Sequence, residues 1–100
     1  MNPLPYIISK KAVNDLDEIW YYTVEKWSVD YANRYYNLIF EEISYICKKP
    51  GSGKPMDDIR EGYRASKVKS HLIFYKVVND TVEVIRILHQ RMDIGNRLSD

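Results

Sequence analysis

The chain is poor in the residues that build covalent or metal frameworks. It has one cysteine, Cys47, and two histidines in 100 residues. A lone cysteine excludes an internal disulfide and a cysteine-rich zinc site. Cys47 falls on the apolar side of an expected helix, where a thiol behaves as a small buried hydrophobe. A single free cysteine is also compatible with the cytoplasm, the expected location. Glycine and proline number four each, which excludes a linker-like or low-complexity chain. No apolar run approaches the roughly 18 residues of a membrane span. Pro3 and Pro5 interrupt the short N-terminal apolar stretch and no basic region precedes it, so it does not read as a signal peptide, and no membrane contact is expected. Net charge is only +1, whereas a chain that grips nucleic-acid phosphates is usually more basic. Phenylalanine is scarce too: two, beside nine tyrosines and two tryptophans. Tyr and Trp combine an apolar body with a polar tip, so they suit either the boundary of a small core or a half-wet interface.

What is present reads as one domain, 1–100, of α+β class. Tyr6, Ile7 and Ile8 form a short first strand, after which Ser9 offers an N-cap hydroxyl. The helix that follows, to about Trp27, carries Val13, Leu16, Ile19, Trp20, Val24 and Trp27 at spacings of three and four, with Leu16 and Trp20 expected on the sheet. Asn14, Asp15, Asp17, Glu18 and Glu25 read as its solvated acidic side. Ser28 caps a second helix with the stripe Ala32, Tyr35, Tyr36, Ile39, Ile43, Ile46 and Cys47, stopped by Pro50-Gly51. The short link between them makes an antiparallel αα-hairpin. Residues 50–62 read as a loop of turns. Strands follow at about Tyr63–Lys67, His71–Val78 and Thr81–His89, joined by a short link at Val68–Ser70 and a tight turn at Asn79-Asp80. The expected order is β-α-α-β-β-β: an antiparallel sheet with one face covered by the hairpin. Residues 91–100 read as a polar tail.

Charge is unevenly spread. Between Arg60 and Arg91 there are seven basic and three acidic residues; residues 1–50 hold six basic and seven acidic. The C-terminal half therefore offers the face for an anionic partner. A regular ladder from the Asn79-Asp80 turn sets His71 opposite Leu88, beside His89, and the preceding hairpin sets Arg64 roughly across from Leu72. Arg64, His71 and His89 then gather at one sheet end, with Lys69, Arg86 and Arg91 close by. Three readings fit these residue types. Arg can hold a phosphate and His can move a proton near neutral pH, as a metal-free ribonuclease needs. With Tyr63, Tyr75 and Met92, the same residues suit docking of an acidic, partly apolar peptide. They also fit a solvated strand face. Two histidines and a remote cysteine make no convincing metal set, and no cofactor is expected.

The segments Tyr63-Arg64, Ser70–Lys76 and Val84–Asp93, the last containing Ile87-Leu88-His89-Gln90-Arg91-Met92-Asp93, resemble the ParE-type toxins of the ParE/RelE superfamily. The opening Ile8–Ala12 with Asp15-Leu16 and Ile19-Trp20 is similar as well. The resemblance spans nearly the whole chain. It implies a fold shared with the RelE ribonucleases, a ParD-like antitoxin whose flexible segment wraps the toxin, and DNA gyrase as the target, held in its cleaved-DNA state. It implies contact with operator DNA only through the antitoxin, and no catalytic residue in the toxin. Tyr63, Arg64, Lys69, His71, Tyr75, Arg86, His89, Arg91 and Met92 are the residues expected to bind antitoxin or target. The RelE branch implies instead a ribosome-dependent mRNA endonuclease, in which Arg64 and Arg86 would hold the phosphate and His89 would be the acid.

Overall fold

The computed structural model describes residues 2–98. Its order is β1 (Tyr6–Ile8), α1 (Lys10–Lys26), α2 (Val29–Lys48), a 3-10 turn at Pro50–Ser52, β2 (Lys54–Pro55), β3 (Arg64–Val68), β4 (His71–Val78), β5 (Thr81–His89) and α3 (Ile94–Leu98). The strands form one sheet in the order β1-β5-β4-β3-β2. The meander β3-β4-β5 is antiparallel, as expected, and β1 pairs with β5 in parallel. This is the expected α+β architecture, with the αα-hairpin across one sheet face.

The helix starts form where serines stand. Ser9 Oγ accepts from Ala12 N at 3.0 Å and donates to the Ile85 carbonyl at 2.7 Å, which ties the start of α1 to β5. Ser28 Oγ accepts from Tyr31 N at 3.0 Å. The buried stripe of α2 is the expected one, with Ala32, Tyr35, Ile39, Ile43, Ile46 and Cys47 buried and Tyr36 half-buried against them.

The buried side of α1 is rotated from the expected one. Ala12, Asp15, Leu16 and Thr23 are buried, whereas Val13 and Trp27 are exposed. Asp15 lies in the core because Arg86 and the Ile87 backbone satisfy it, and Thr23 because its hydroxyl donates to the Ile19 carbonyl at 2.6 Å. Trp20 turns toward α2 rather than the sheet; its indole N–H donates to Asn33 Oδ1 at 3.3 Å.

The strand register also departs from the regular ladder. Val78 pairs with Thr81 as counted, but Phe74 pairs with Arg86 and Tyr75 with Val84. Ile85 is therefore the extra residue of a β-bulge. Beyond it His71 pairs with His89, not Leu88. Across the other hairpin Arg64 pairs with Tyr75, not Leu72, because Lys69-Ser70 alone makes the turn, with Lys69 at φ 54°.

The second sheet face is covered as well. Ala65, Phe74, Leu88 and Leu98 form a smaller core there, and Met56, Ile59, Tyr63, Leu72 and Ile94 pack on it. The loop at 50–62, expected as turns, and the tail, expected to be polar, supply much of that cover. Within the tail, Ser99 and Asp100 lie outside the described residues. Arg60 Nη1 donates to the Leu98 carbonyl and Arg86 Nη1 to the Arg97 carbonyl, at 3.3 and 3.2 Å, so guanidinium groups receive the C-terminal carbonyls of α3.

Candidate functional site: an aromatic groove at the histidine end of the sheet

A groove of about 670 Å³ opens between the C-terminal half of α1, the start of α2 and the β3–β4 turn. Ile19, Thr23 and Ile87 lie along it, and Asp15, Glu18, Tyr22, Trp27, Tyr31, Tyr35, Lys69, Ser70, His71, His89 and Met92 complete its lining. Trp27 is 68% exposed and Tyr22 61%, although both rings are large. Exposed aromatics that share one concavity are characteristic of a surface that a partner covers.

The rings follow one another along the groove. Trp27 stacks on Tyr31 with centroids 5.5 Å apart, and Tyr31 lies 6.5 Å from Tyr35. Tyr35 meets His71 edge-on at 5.4 Å, and His71 meets His89 edge-on at 5.2 Å. The four-residue steps from Trp27 to Tyr31 to Tyr35 put these rings on one side of the helical hairpin. The turn at Lys69-Ser70 and the bulge at Ile85 bring the histidines to the same place.

His71 is held by hydrogen bonding. Its Nδ1 lies 2.6 Å from Tyr35 Oη, which is also 3.3 Å from the Val68 carbonyl. Burial, and secondarily the neighbouring His89, lower the His71 pKa from 6.5 to about 4, against an opposing pull from Asp15. His71 is therefore a neutral imidazole at physiological pH. Nδ1 of His89 accepts from the Arg91 backbone N–H at 3.1 Å.

The residues expected to converge do so only in part. Lys69, His71, His89 and Met92 line the groove, and the exposed Arg91 adjoins His89. Arg64 stands apart, beside Tyr75, and its Nη1 donates to the carbonyls of Gly51 and Gly53 at 3.2 and 2.7 Å. Arg86 donates through Nε and Nη2 to Asp15 at 2.7 and 2.9 Å, forming an ion pair that pins α1 to β5. Tyr75 is fully buried, so it does not belong to a docking surface. Its hydroxyl donates to the Pro50 carbonyl at 2.7 Å and accepts from Gly53 N at 2.9 Å. A side chain at residue 53 would lie 2.5 Å from that hydroxyl, which accounts for the glycine. Tyr63 packs on the opposite sheet face with Met56 and Ile59.

Sequence reasoning missed the helical half of the groove. Spacing alone puts Trp27 in the apolar stripe and Glu18 on the solvated acidic side. The signal that could have found it was the surplus of Tyr and Trp over Phe, read together with the four-residue spacing.

Residues 6–94 match the family model described as the ParE toxin of the type II toxin–antitoxin system, parDE. The chain belongs to the ParE toxin family. Toxin ParE1 of Caulobacter vibrioides is 42% identical over 89 residues, covering 89% of this chain and 92% of its own. Toxin ParE1 of Mycobacterium tuberculosis is 39% identical over 94 residues, covering 93% and 96%. Among solved structures, a chain of the chromosomal ParDE toxin–antitoxin system of P. aeruginosa superposes with a TM-score of 0.77 at 20% identity, covering 86% of this chain and 95% of that one. A chain of the RelBE2 toxin–antitoxin complex of Mycobacterium tuberculosis gives 0.64 at 19% identity, covering 88% and 99%. At those identities the two structures speak for the shared ParE/RelE fold. No helix among the described residues is long and apolar enough to cross a membrane.

Proposed function

We propose that this ParE-family toxin acts by binding rather than by chemistry: it stabilises the cleaved-DNA complex of DNA gyrase and is neutralised by a ParD-like antitoxin seated in the aromatic groove. The observation that carries the reading is the groove itself, with Trp27, Tyr22 and Tyr31 exposed along it. Aromatic anchors on a rigid hairpin are what a protein partner needs for a tight, desolvated contact. The guanidinium groups of Arg64 and Arg86 support it from the other side. Arg64 is bonded to loop carbonyls and Arg86 to Asp15, so both serve the fold. Operator DNA is then reached through the antitoxin.

The test combines purified toxin, gyrase and supercoiled plasmid, with a protein denaturant added before electrophoresis. The expected result is accumulated linear DNA that disappears when antitoxin is supplied. In a binding mechanism His89→Ala lowers toxicity only in step with weaker target binding. Lost toxicity with unchanged gyrase affinity would assign His89 a chemical role.

One observation favours a second reading, ribosome-dependent mRNA cleavage of the RelE kind. His71 and His89 adjoin at the groove, with Lys69 lining it too. That reading needs Arg86 to leave Asp15 and hold a phosphate with Arg64, while His89 supplies the proton. Folded toxin that leaves gyrase supercoiling intact but cuts mRNA on ribosomes would establish it.

A further inference from the structure

The groove is electrically two-sided. Its α1 wall carries two carboxylates, Asp15 and Glu18, and they stand differently. Asp15 is neutralised by Arg86. Glu18, one turn further along and exposed, makes no ion pair among the described residues. The next turn of the same wall presents the exposed ring of Tyr22. Lys69 belongs to the β3–β4 turn; it too is exposed and without an ion pair among the described residues. Apolar Ile19 and Ile87 line the same groove.

We propose that the groove is charge-oriented: it takes an amphipathic antitoxin segment in one direction only, with a basic side chain against Glu18 and Tyr22 and an acidic side chain against Lys69. The proposal rests on the groove being the antitoxin seat. Its physical basis is that free charges of opposite sign in one apolar groove reward one orientation of a partner and penalise the reverse. In the reverse orientation a carboxylate meets Glu18 and an ammonium meets Lys69, both losing water as the groove closes. A cation at Glu18 also has the exposed Tyr22 ring one turn along the same wall, and aromatic rings attract cations to their faces. A uniformly acidic segment, which the basic C-terminal half alone would select, satisfies Lys69 and is repelled at Glu18.

The experiment titrates the antitoxin encoded with this toxin into toxin variants by calorimetry, at low and high salt, after each variant's melting temperature has been checked. Glu18→Lys is expected to weaken binding roughly tenfold or more at low salt, because like charges then face each other. Lys69→Glu is expected to act in the same direction. Glu18→Gln should cost roughly two- to threefold, the scale of one exposed ion pair. These losses shrink in high salt, whereas the loss from Trp27→Ala persists there. Reversing the facing basic residue of the antitoxin should restore binding to Glu18→Lys. If antitoxin binds but neither Trp27→Ala nor Glu18→Lys weakens it, the groove is not the seat and the proposal falls with that reading. If Trp27→Ala weakens binding while Glu18→Lys binds as tightly as the parent, the seat stands and the charge orientation is overturned. Glu18→Gln and Lys69→Glu decide the matter should Glu18→Lys fail to fold.

Discussion

The two faces of the sheet are built on different plans. On one, α2 lays a long apolar stripe, and α1 adds Ala12 and Leu16, over Ile73, Tyr75, Val82, Val84 and Ile87. On the other, a turn-rich loop and a five-residue helix cover Ala65, Phe74 and Leu88. The helical face holds its order through many side chains spaced by one repeat. The second face depends on a few anchors, Met56, Ile59, Ile94 and Leu98, and on arginines that receive the end of α3. Regular elements thus build the face that shapes the groove, and irregular ones close the back. Arg86 belongs to both: it bonds Asp15 on α1 and the carbonyl of Arg97 in α3.

The largest effect is expected where the faces are joined. Asp15→Ala removes the carboxylate that faces a mostly buried guanidinium and leaves the Ile87 N–H without its acceptor, so it should cost about 3–5 kcal/mol in chemical denaturation. A loss below about 1 kcal/mol would mean that Arg86 finds another partner at little cost.

Next comes a like-for-like test. Leu16 and Leu98 are both 2% exposed, one on each face. Leu16→Ala should cost about 2–5 kcal/mol, because the rigid hairpin cannot collapse into the cavity. Leu98→Ala should cost less, roughly 1 kcal/mol, because a short terminal helix can detach by itself. Hydrogen exchange should report early opening of residues 94–98 only in the second variant. Equal losses would erase the distinction between the faces.

The last is a pH dependence on the helical face, gradual where the substitutions are abrupt. The folded-state pKa of His71 is about 4, against an ordinary value of 6.5, so the unfolded chain binds more protons between those values. The His71 contribution is therefore complete above pH 6.5 and declines as pH falls toward 4. Melting temperature should drop across that window, and His71→Gln should flatten the slope. An unchanged slope would assign the acid sensitivity to other groups.

Much of the helical face was legible in the sequence. Both serine caps, both helix lengths and the complete stripe of α2 follow from spacing. The face of α1 does not, because Asp15 and Thr23 are polar by composition and buried by virtue of partners, one of them 71 residues away. Periodicity counts side chains and cannot count those hydrogen bonds. The back face was illegible for a related reason: Met56, Ile59, Ile94 and Leu98 have no repeat and acquire their places only when the sheet exists. The candidate groove was half legible. Lys69, His71, His89 and Met92, expected together, all line it, whereas Arg64 and Tyr75 stand apart, since a two-residue turn and one bulge shift the strands past each other.

That bulge carries a consequence for comparing relatives. Before it, the helix-facing residues of β5 are even-numbered, Val82 and Val84; after it, Ile87 faces the helices and Leu88 the back. The strand changes parity at Ile85. A relative that lacks this extra residue must therefore be matched separately on either side of it. A single sliding frame that ignores the extra position would exchange groove residues for core residues, while scoring the hydrophobic pattern almost equally well.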